Sequence, residues 1–222
     1  MLTIMPRIPF TTEQFIQIFE KYNHAIYPFQ FALILVAVAT VFLATSRKAF
    51  ASKLISCSLG FLWLWMGIVY HLIFFTAISP PAYLFGTLFI IQGLLFLYEG
   101  VVRNRLTFRA GQNLYSIFAA IFIAYALVFY PLIGYVLGRT FLASPTFGTP
   151  CPTVIFTFGL LLWTDKRFRL SLFIIPVLWS LVGTSAALSF GIKEDFGLLV
   201  AGTIGTTVII RHNLSPKTEK VL

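Results

Sequence analysis

Charge is what this chain has least of. Only 10% of its 222 residues are Asp, Glu, Lys or Arg, against roughly a quarter in a soluble globular domain. Beside 59% hydrophobic residues, that scarcity excludes water as the main solvent. Acidic residues are scarcer still, seven against sixteen basic ones. The resulting charge of +9 does not point to nucleic acid, because every Lys and Arg falls in a short connection between apolar runs or in a terminal segment. Cysteine is nearly missing. Cys57 and Cys151 form no CxxC pair, which argues against a membrane dithiol oxidoreductase, and the topology below sets them at opposite ends as free thiols. His24, His71 and His212 are too few and too scattered for a bis-histidine haem, and the last apolar segment has no central lysine to anchor a retinal Schiff base. Residues 1–25 carry Glu13, Glu20 and Lys21 and lack a basic leader with an apolar core, so no cleaved signal peptide is expected.

Long apolar runs are what the chain does have. Seven segments, at roughly 26–45, 53–76, 81–101, 112–138, 152–164, 170–190 and 196–210, are separated by short charged or Pro/Gly-bearing turns. The loop charges alternate. Arg47, Lys48 and Lys53 follow the first segment, Arg103, Arg105 and Arg109 the third, Lys166, Arg167 and Arg169 the fifth, and Arg211, Lys217 and Lys220 lie in the tail. Arg7, Lys21, Arg139 and Lys193 remain for the other face. The positive-inside rule then predicts an all-α membrane protein with seven spans, the N-terminus outside and the C-terminus in the cytoplasm. The expected organisation is an N-terminal segment 1–25, a transmembrane domain 26–210 and a cytoplasmic tail 211–222.

Within the N-terminal segment 1–25, Thr11 with Gln14 reads as a capping box. Phe15, Ile18, Phe19 and Tyr22 then recur at helical spacing opposite Glu13, Gln17, Glu20 and Lys21. That pattern predicts an amphipathic helix in the membrane interface, ending near Asn23. Further along, Lys53, Trp63 and Gly67 are spaced as Arg169, Trp179 and Gly183 are, which suggests two parallel three-helix halves joined by the fourth span.

The stretch Ser144 to Leu162 departs from its surroundings, with three prolines, a lone cysteine and several hydroxyls before a hydrophobic run. Residues 152–164 span only ~20 Å against a ~30 Å hydrocarbon core, so Arg139 to Cys151 is expected to fold back into the outer half of the bundle. A helix start there, with Pro152 at its first position, would offer free N–H groups to an electron-rich substrate and acidify Cys151. The same helical arithmetic puts Tyr70 and His71 in the outer half, ~27 Å from Lys53.

The candidate substrate-binding residues are therefore Ser144, Thr149, Cys151, Thr153, Tyr70 and His71. Cys151, His71 and His24 form a candidate soft-metal set, with Glu20 or Asp195 as an additional acidic ligand. A purely structural reading stands beside this one, in which the prolines shape a short helix, Cys151 fills space and His71 bonds a carbonyl. Glu99 is expected to pair with Arg103, and Gln92 and Asn113 to bond between helices. No cofactor is implied. The expected partners are the lipid bilayer, a small solute or a soft metal ion, and a second copy of the chain.

The sequences WLWMGIVYHLIFF at 63–75, SPPAYLFG at 79–86, SPTFGTPCPT at 144–153, PVLWSLVGTSAA at 176–187 and DFGLLVAG at 195–202 resemble a bacterial multi-pass membrane family known as domain of unknown function 6064. The resemblance covers nearly the whole chain and implies a bacterial inner-membrane protein, with no assigned activity. Three functional readings follow from the residues. One is a small permease or channel-like transporter, the second a sensor or assembly subunit, and the third an intramembrane enzyme using Cys151 with His71 as base.

Overall fold

The computed structural model describes residues 10–46, 48, 50–165 and 168–214, with side chains as far as Arg211. Arg7, Arg47, Lys166, Arg167, Lys217 and Lys220, on which part of the charge alternation rests, lie outside the described residues. Every named element is helical, without a β-strand among the described residues.

The first helix, α1 (Thr12–Ile26), starts as its sequence predicts. The Thr11 hydroxyl accepts from Gln14 N–H at 3.3 Å, and the Gln14 side chain accepts from Thr11 N–H at 2.8 Å. It runs one turn past Asn23. The chain then bends by 88° into α2 (Phe29–Thr45), so α1 lies across the end of the bundle with Phe15, Ile18, Phe19 and Tyr22 buried against it.

The remaining rods are α3 (Ala51–Ala77), α4 (Ala82–Val102), α5 (Leu114–Val136), α6 (Pro150–Leu162), α7 (Ser171–Phe190) and α8 (196–214). Four of them, α3, α4, α5 and α7, hold 20 to 27 residues and are long and apolar enough to cross a membrane; α1 with α2 makes a fifth if the bent pair is counted as one. At ~1.5 Å per residue, 20 residues reach ~30 Å, the thickness of a hydrocarbon core. Seven apolar segments thus become seven helical rods, α2 to α8, but not seven rods of full membrane-spanning length. The shortest, α6, has 13 residues and is buried along nearly its whole length, walled by α3, α5, α7 and α8. A helix that touches only protein has no bilayer thickness to match. Outward faces of the other rods expose large apolar side chains, including Leu35, Phe42, Ile73, Leu84, Val128 and Leu188.

Glycines set the tightest contact. On α3 and α4, Gly60 lies against Gly93 and Gly67 against Gly86. A Cβ on Gly93 would stand 2.9 Å from the Gly60 carbonyl, and one on Gly67 2.9 Å from the Gly86 carbonyl. Because both helices carry the pair at seven-residue spacing, two backbone approaches stack along one interface. Gly183, spaced from Trp179 as Gly67 is from Trp63, likewise packs against the helix that follows it, at Leu198 of α8.

The two ends of the bundle differ chemically. At one end the connections after α2, α4 and α6 meet: Ala110 N–H donates to Ala44 carbonyl at 2.8 Å, Arg109 N–H to Trp163 carbonyl at 2.7 Å, and Phe108 N–H to the Ser52 hydroxyl at 3.0 Å. This end carries Lys48, Lys53, Arg103, Arg105, Arg109 and Arg169. Glu99 is buried there between Arg105 (3.5 Å) and Arg169 (3.4 Å). The expected partner Arg103 instead stacks over Tyr98, because α4 ends in a π-helical turn over Tyr98–Val102 that re-aims the side chains after Glu99. Gln92 bonds between helices as expected, donating to Leu172 carbonyl on α7 at 2.7 Å. Asn113 does not. It caps α5, accepting from Ser116 N–H at 2.9 Å.

Candidate functional site

At the other end, the expected inward fold of Arg139 to Cys151 holds for residues 144–149, which return into the bundle, whereas Thr140 and Phe141 stay exposed at its surface. Ser144 through Pro150 are all buried, which an irregular segment tolerates only when its backbone groups find partners. Helix α1 supplies them. Asn23 donates to the carbonyls of Leu142 and Ser144, both at 2.8 Å, and accepts from the Thr146 hydroxyl at 2.7 Å. Tyr22 donates to Gly148 carbonyl at 3.1 Å, and Gly148 N–H donates to the Thr153 hydroxyl at 3.1 Å. Gly148 takes φ +100° with Leu33 close behind it, a position only glycine fits without strain.

The helix this segment feeds begins at Pro150, with Thr149 as N-cap; Pro152 is therefore the third residue, not the first. The shift removes the expected anion site. Prolines at the first and third positions carry no N–H, leaving Cys151 as the only backbone donor among the first three helical residues. The Thr149 hydroxyl turns back to Thr146 carbonyl at 2.7 Å instead of capping.

What stands opposite this helix start is an acid. After α7, Gly191 takes a left-handed conformation and a short turn, Lys193–Asp195, leads into α8. Both carboxylates of that turn are buried, and each has its own partners. Glu194 pairs with Arg139, while its carbonyl accepts from the Tyr125 hydroxyl at 2.7 Å. Asp195 accepts from the Tyr130 hydroxyl and lies within hydrogen-bonding reach of the Cys151 thiol. Burial lifts the Asp195 carboxyl from its ordinary 3.8 to about 7; the Tyr130 bond opposes that rise and the charge of Glu194 adds to it.

Asp195 and Cys151 open onto a cavity of about 210 Å³ between α1, α3, α6 and α7. Its walls are largely aromatic. Phe15 stacks on Phe190 at 4.8 Å between ring centroids, Phe10 stacks on Phe190 at 5.3 Å, and Tyr70 lies parallel to Phe75 at 5.8 Å. Trp179 forms part of the wall and points its indole nitrogen toward the Cys151 sulfur without completing a well-formed hydrogen bond. Trp63, which stands in the same spacing from Lys53 as Trp179 from Arg169, also turns to α6, donating to the Thr157 hydroxyl at 3.0 Å.

The candidate residues therefore divide. Tyr70, Thr149 and Cys151 line the cavity. Thr153 and Ser144 sit behind it, holding the 144–149 backbone. His71 is buried in the π-helical turn Met66–Phe74, where its Nδ1 is 2.9 Å from Met66 carbonyl; Tyr70 and Trp179, which line the cavity, both touch its ring. His24 is exposed at a different surface, beside Tyr27 and residues 140–142. Cys151, His71 and His24 are thus not gathered, and no group of three or more His, Cys, Asp or Glu that could hold a metal ion exists among the described residues. Both cysteines are free. Sequence reasoning named Asp195 only as a spare ligand, and it missed Trp179 as a wall and the ring cluster of Phe10, Phe15, Phe75 and Phe190.

An all-helical bundle with several rods of membrane-spanning length and apolarity, closed at one end over an aromatic cavity, is the class these features define. The chain belongs to the Family of unknown function DUF6064, whose model matches residues 12–220. No curated protein and no solved structure matches it.

Proposed function

We propose that the protein is an integral membrane permease whose substrate site is the aromatic cavity over Cys151 and Asp195. The observation that carries this reading is a buried carboxylate at the base of a ring-lined space, in a bundle whose outer faces are apolar. Pockets for small molecules are built this way, with apolar walls for the body of the ligand and a few polar groups to fix its orientation. In the proposed orientation all seven rods cross a bacterial plasma membrane. The basic end faces the cytoplasm and the cavity the exterior, as the charge asymmetry of the connections favours. Helix α1 lies in the outer interface as a cover. Gly67 and Gly183, and the two indoles turned toward α6, support a duplicated three-helix unit around that central rod.

An enzyme built on Cys151 and His71 has less support. The His71 ring is engaged by Met66 and by aromatic neighbours and does not line the cavity. Reconstitution into liposomes with a panel of small solutes tests the permease reading. Uptake of at least one solute above protein-free vesicles is expected, reduced when Phe190 or Asp195 is substituted; no flux of any solute rejects it.

A further inference from the structure

Taking the cavity as the substrate site proposed above, we propose that its ligand is a small organic monocation. An ammonium or amidinium group would sit against the Asp195 carboxylate, carried on one aromatic ring or a compact aliphatic body held between Phe15, Tyr70 and Phe190.

Size sets the first limit. A dry cavity of ~150 Å³ accepts a benzene ring, so about 210 Å³ takes one ring with a short arm and not a large metabolite. The walls set the second. Ring faces carry the negative part of the aromatic quadrupole and attract cations, most strongly where water is excluded.

Charge sets the third and most decisive limit. Among the described residues, Asp195 is the only acid lining the cavity, and no Lys, Arg or His lines it. The titratable and charged groups facing Asp195 are Tyr70 from α3, Tyr125 and Tyr130 from α5, Cys151 from α6, and Glu194 and Arg139 beside it. Among the described residues only Arg139 of these is cationic, and it is committed to Glu194. A buried carboxylate without a cation of its own either holds a proton or takes its counter-charge from a ligand.

Here both states are accessible, because burial brings the carboxyl to about 7. The exchange balances: the protonated acid and the incoming ammonium give a carboxylate–ammonium pair, and the displaced proton leaves to water. The charge within the site is unchanged, and no bond other than O–H is broken. An anionic ligand would find like charge, and a neutral one would leave the acid protonated and make no use of its charge.

The test is calorimetry on the purified full chain in detergent, with 2-phenylethylammonium, 2-phenylethanol and phenylacetate as probes. At pH 8 the ammonium should bind about tenfold or more tighter than the alcohol, and phenylacetate should not bind. From pH 8 to pH 6 the ammonium affinity should fall about tenfold while the alcohol affinity holds. Proton release, read from buffers of different ionisation heat, should approach one per ligand at pH 6 and vanish at pH 8. Asp195→Asn should bring the ammonium down to the affinity of the alcohol, and Asp195→Glu should restore the preference. Phe190→Ala, which leaves the carboxylate intact, should weaken both probes alike and covers the case of an unstable Asn variant.

Equal affinity for ammonium and alcohol, tighter binding of phenylacetate, or no binding of any probe overturns the proposal. Vesicle flux of the same probes separates it from the permease reading. Binding without flux removes the permease and leaves the cation site, whereas flux of phenylacetate or the alcohol without the ammonium does the reverse.

Discussion

The Tyr22 hydroxyl donates a hydrogen bond to the Gly148 carbonyl at 3.1 Å and accepts one from the Trp65 indole at 2.8 Å. One side chain of α1 thereby ties α3 to the segment that enters α6. Tyr22→Phe keeps the ring contacts with Tyr70 and Phe74 but leaves a buried carbonyl and an indole N–H without this partner. An orphaned buried group costs about 1–3 kcal/mol. The variant is expected to melt at a lower temperature in detergent. With Cys57→Ser as background, Cys151 should also react faster with a small maleimide as α1 loosens over the cavity. Unchanged melting and labelling would show that α1 is held by its phenylalanines alone.

The paired glycines of α3 and α4 lead to a second prediction. At Gly67 an added methyl would meet the Gly86 carbonyl at 2.9 Å and Ile90 N at 3.0 Å, and backbone cannot turn aside as a side chain can. Gly67→Ala is expected to destabilise the bundle by about 1–3 kcal/mol, the usual cost of overpacking. Gly138→Ala should cost less through contacts, since nothing lies within 4 Å of its Cβ position, although φ +83° adds a local strain. Chemical or thermal unfolding of both variants checks the order.

These two cases mark how far the chain is legible from its sequence. The capping box at Thr11 is a local pattern, with every partner within three residues, and it is found where the sequence puts it. The inward fold of 144–149 is found as expected, but its partners Tyr22 and Asn23 lie more than a hundred residues away, and a helix enclosed by protein has no bilayer thickness from which a length deficit could be read. The pairing of Gly60 with Gly93 is different in kind. Four glycines spaced by seven on two helices are visible, but nothing in one dimension says which face meets which. The same holds for Glu99, which passes over its helical neighbour Arg103 for Arg105 and Arg169 because a π-helical turn and a second connection intervene. The cavity is harder still, because Phe15, Phe75, Cys151, Phe190 and Asp195 come from five parts of the chain. Only Cys151 among them stood out by composition.

The proposed orientation is open to labelling. Lys48 and Arg103 are exposed at the basic end and Lys193 is exposed at the opposite end. In a background without Cys57 and Cys151, single cysteines at 48 and 103 should react with an impermeant maleimide only after the cytoplasmic face is opened. A cysteine at 193 should react in intact cells. Labelling of all three from one face would rule out the alternation on which the seven-rod crossing depends.

Asp195 ties stability to pH in a direction opposite to that of a salt-bridged acid. Its carboxyl titrates near 7 in the folded chain and near its ordinary 3.8 when unfolded, so between these values the folded state holds a proton that the unfolded state has released. Stability contributed at this site is therefore greatest below about pH 4, falls as pH rises toward 7, and levels off above it. The full change is on the order of a few kcal/mol, because each tenfold difference in proton affinity between the two states corresponds to about 1.4 kcal/mol. Asp195→Asn keeps a similar shape, and its amide can still accept from Tyr130 while carrying no charge to bury. The variant should match the parent below about pH 4 and exceed it in melting temperature by a margin that grows to pH 8, provided both are measured without a cationic ligand. Saturating 2-phenylethylammonium at pH 8 should raise the parent's melting temperature and leave the variant's nearly unmoved, since the variant has no carboxylate to receive the charge. A parent whose stability relative to the Asn variant stays flat between pH 5 and pH 8 would mean that Asp195 is ionised and already compensated in the empty protein.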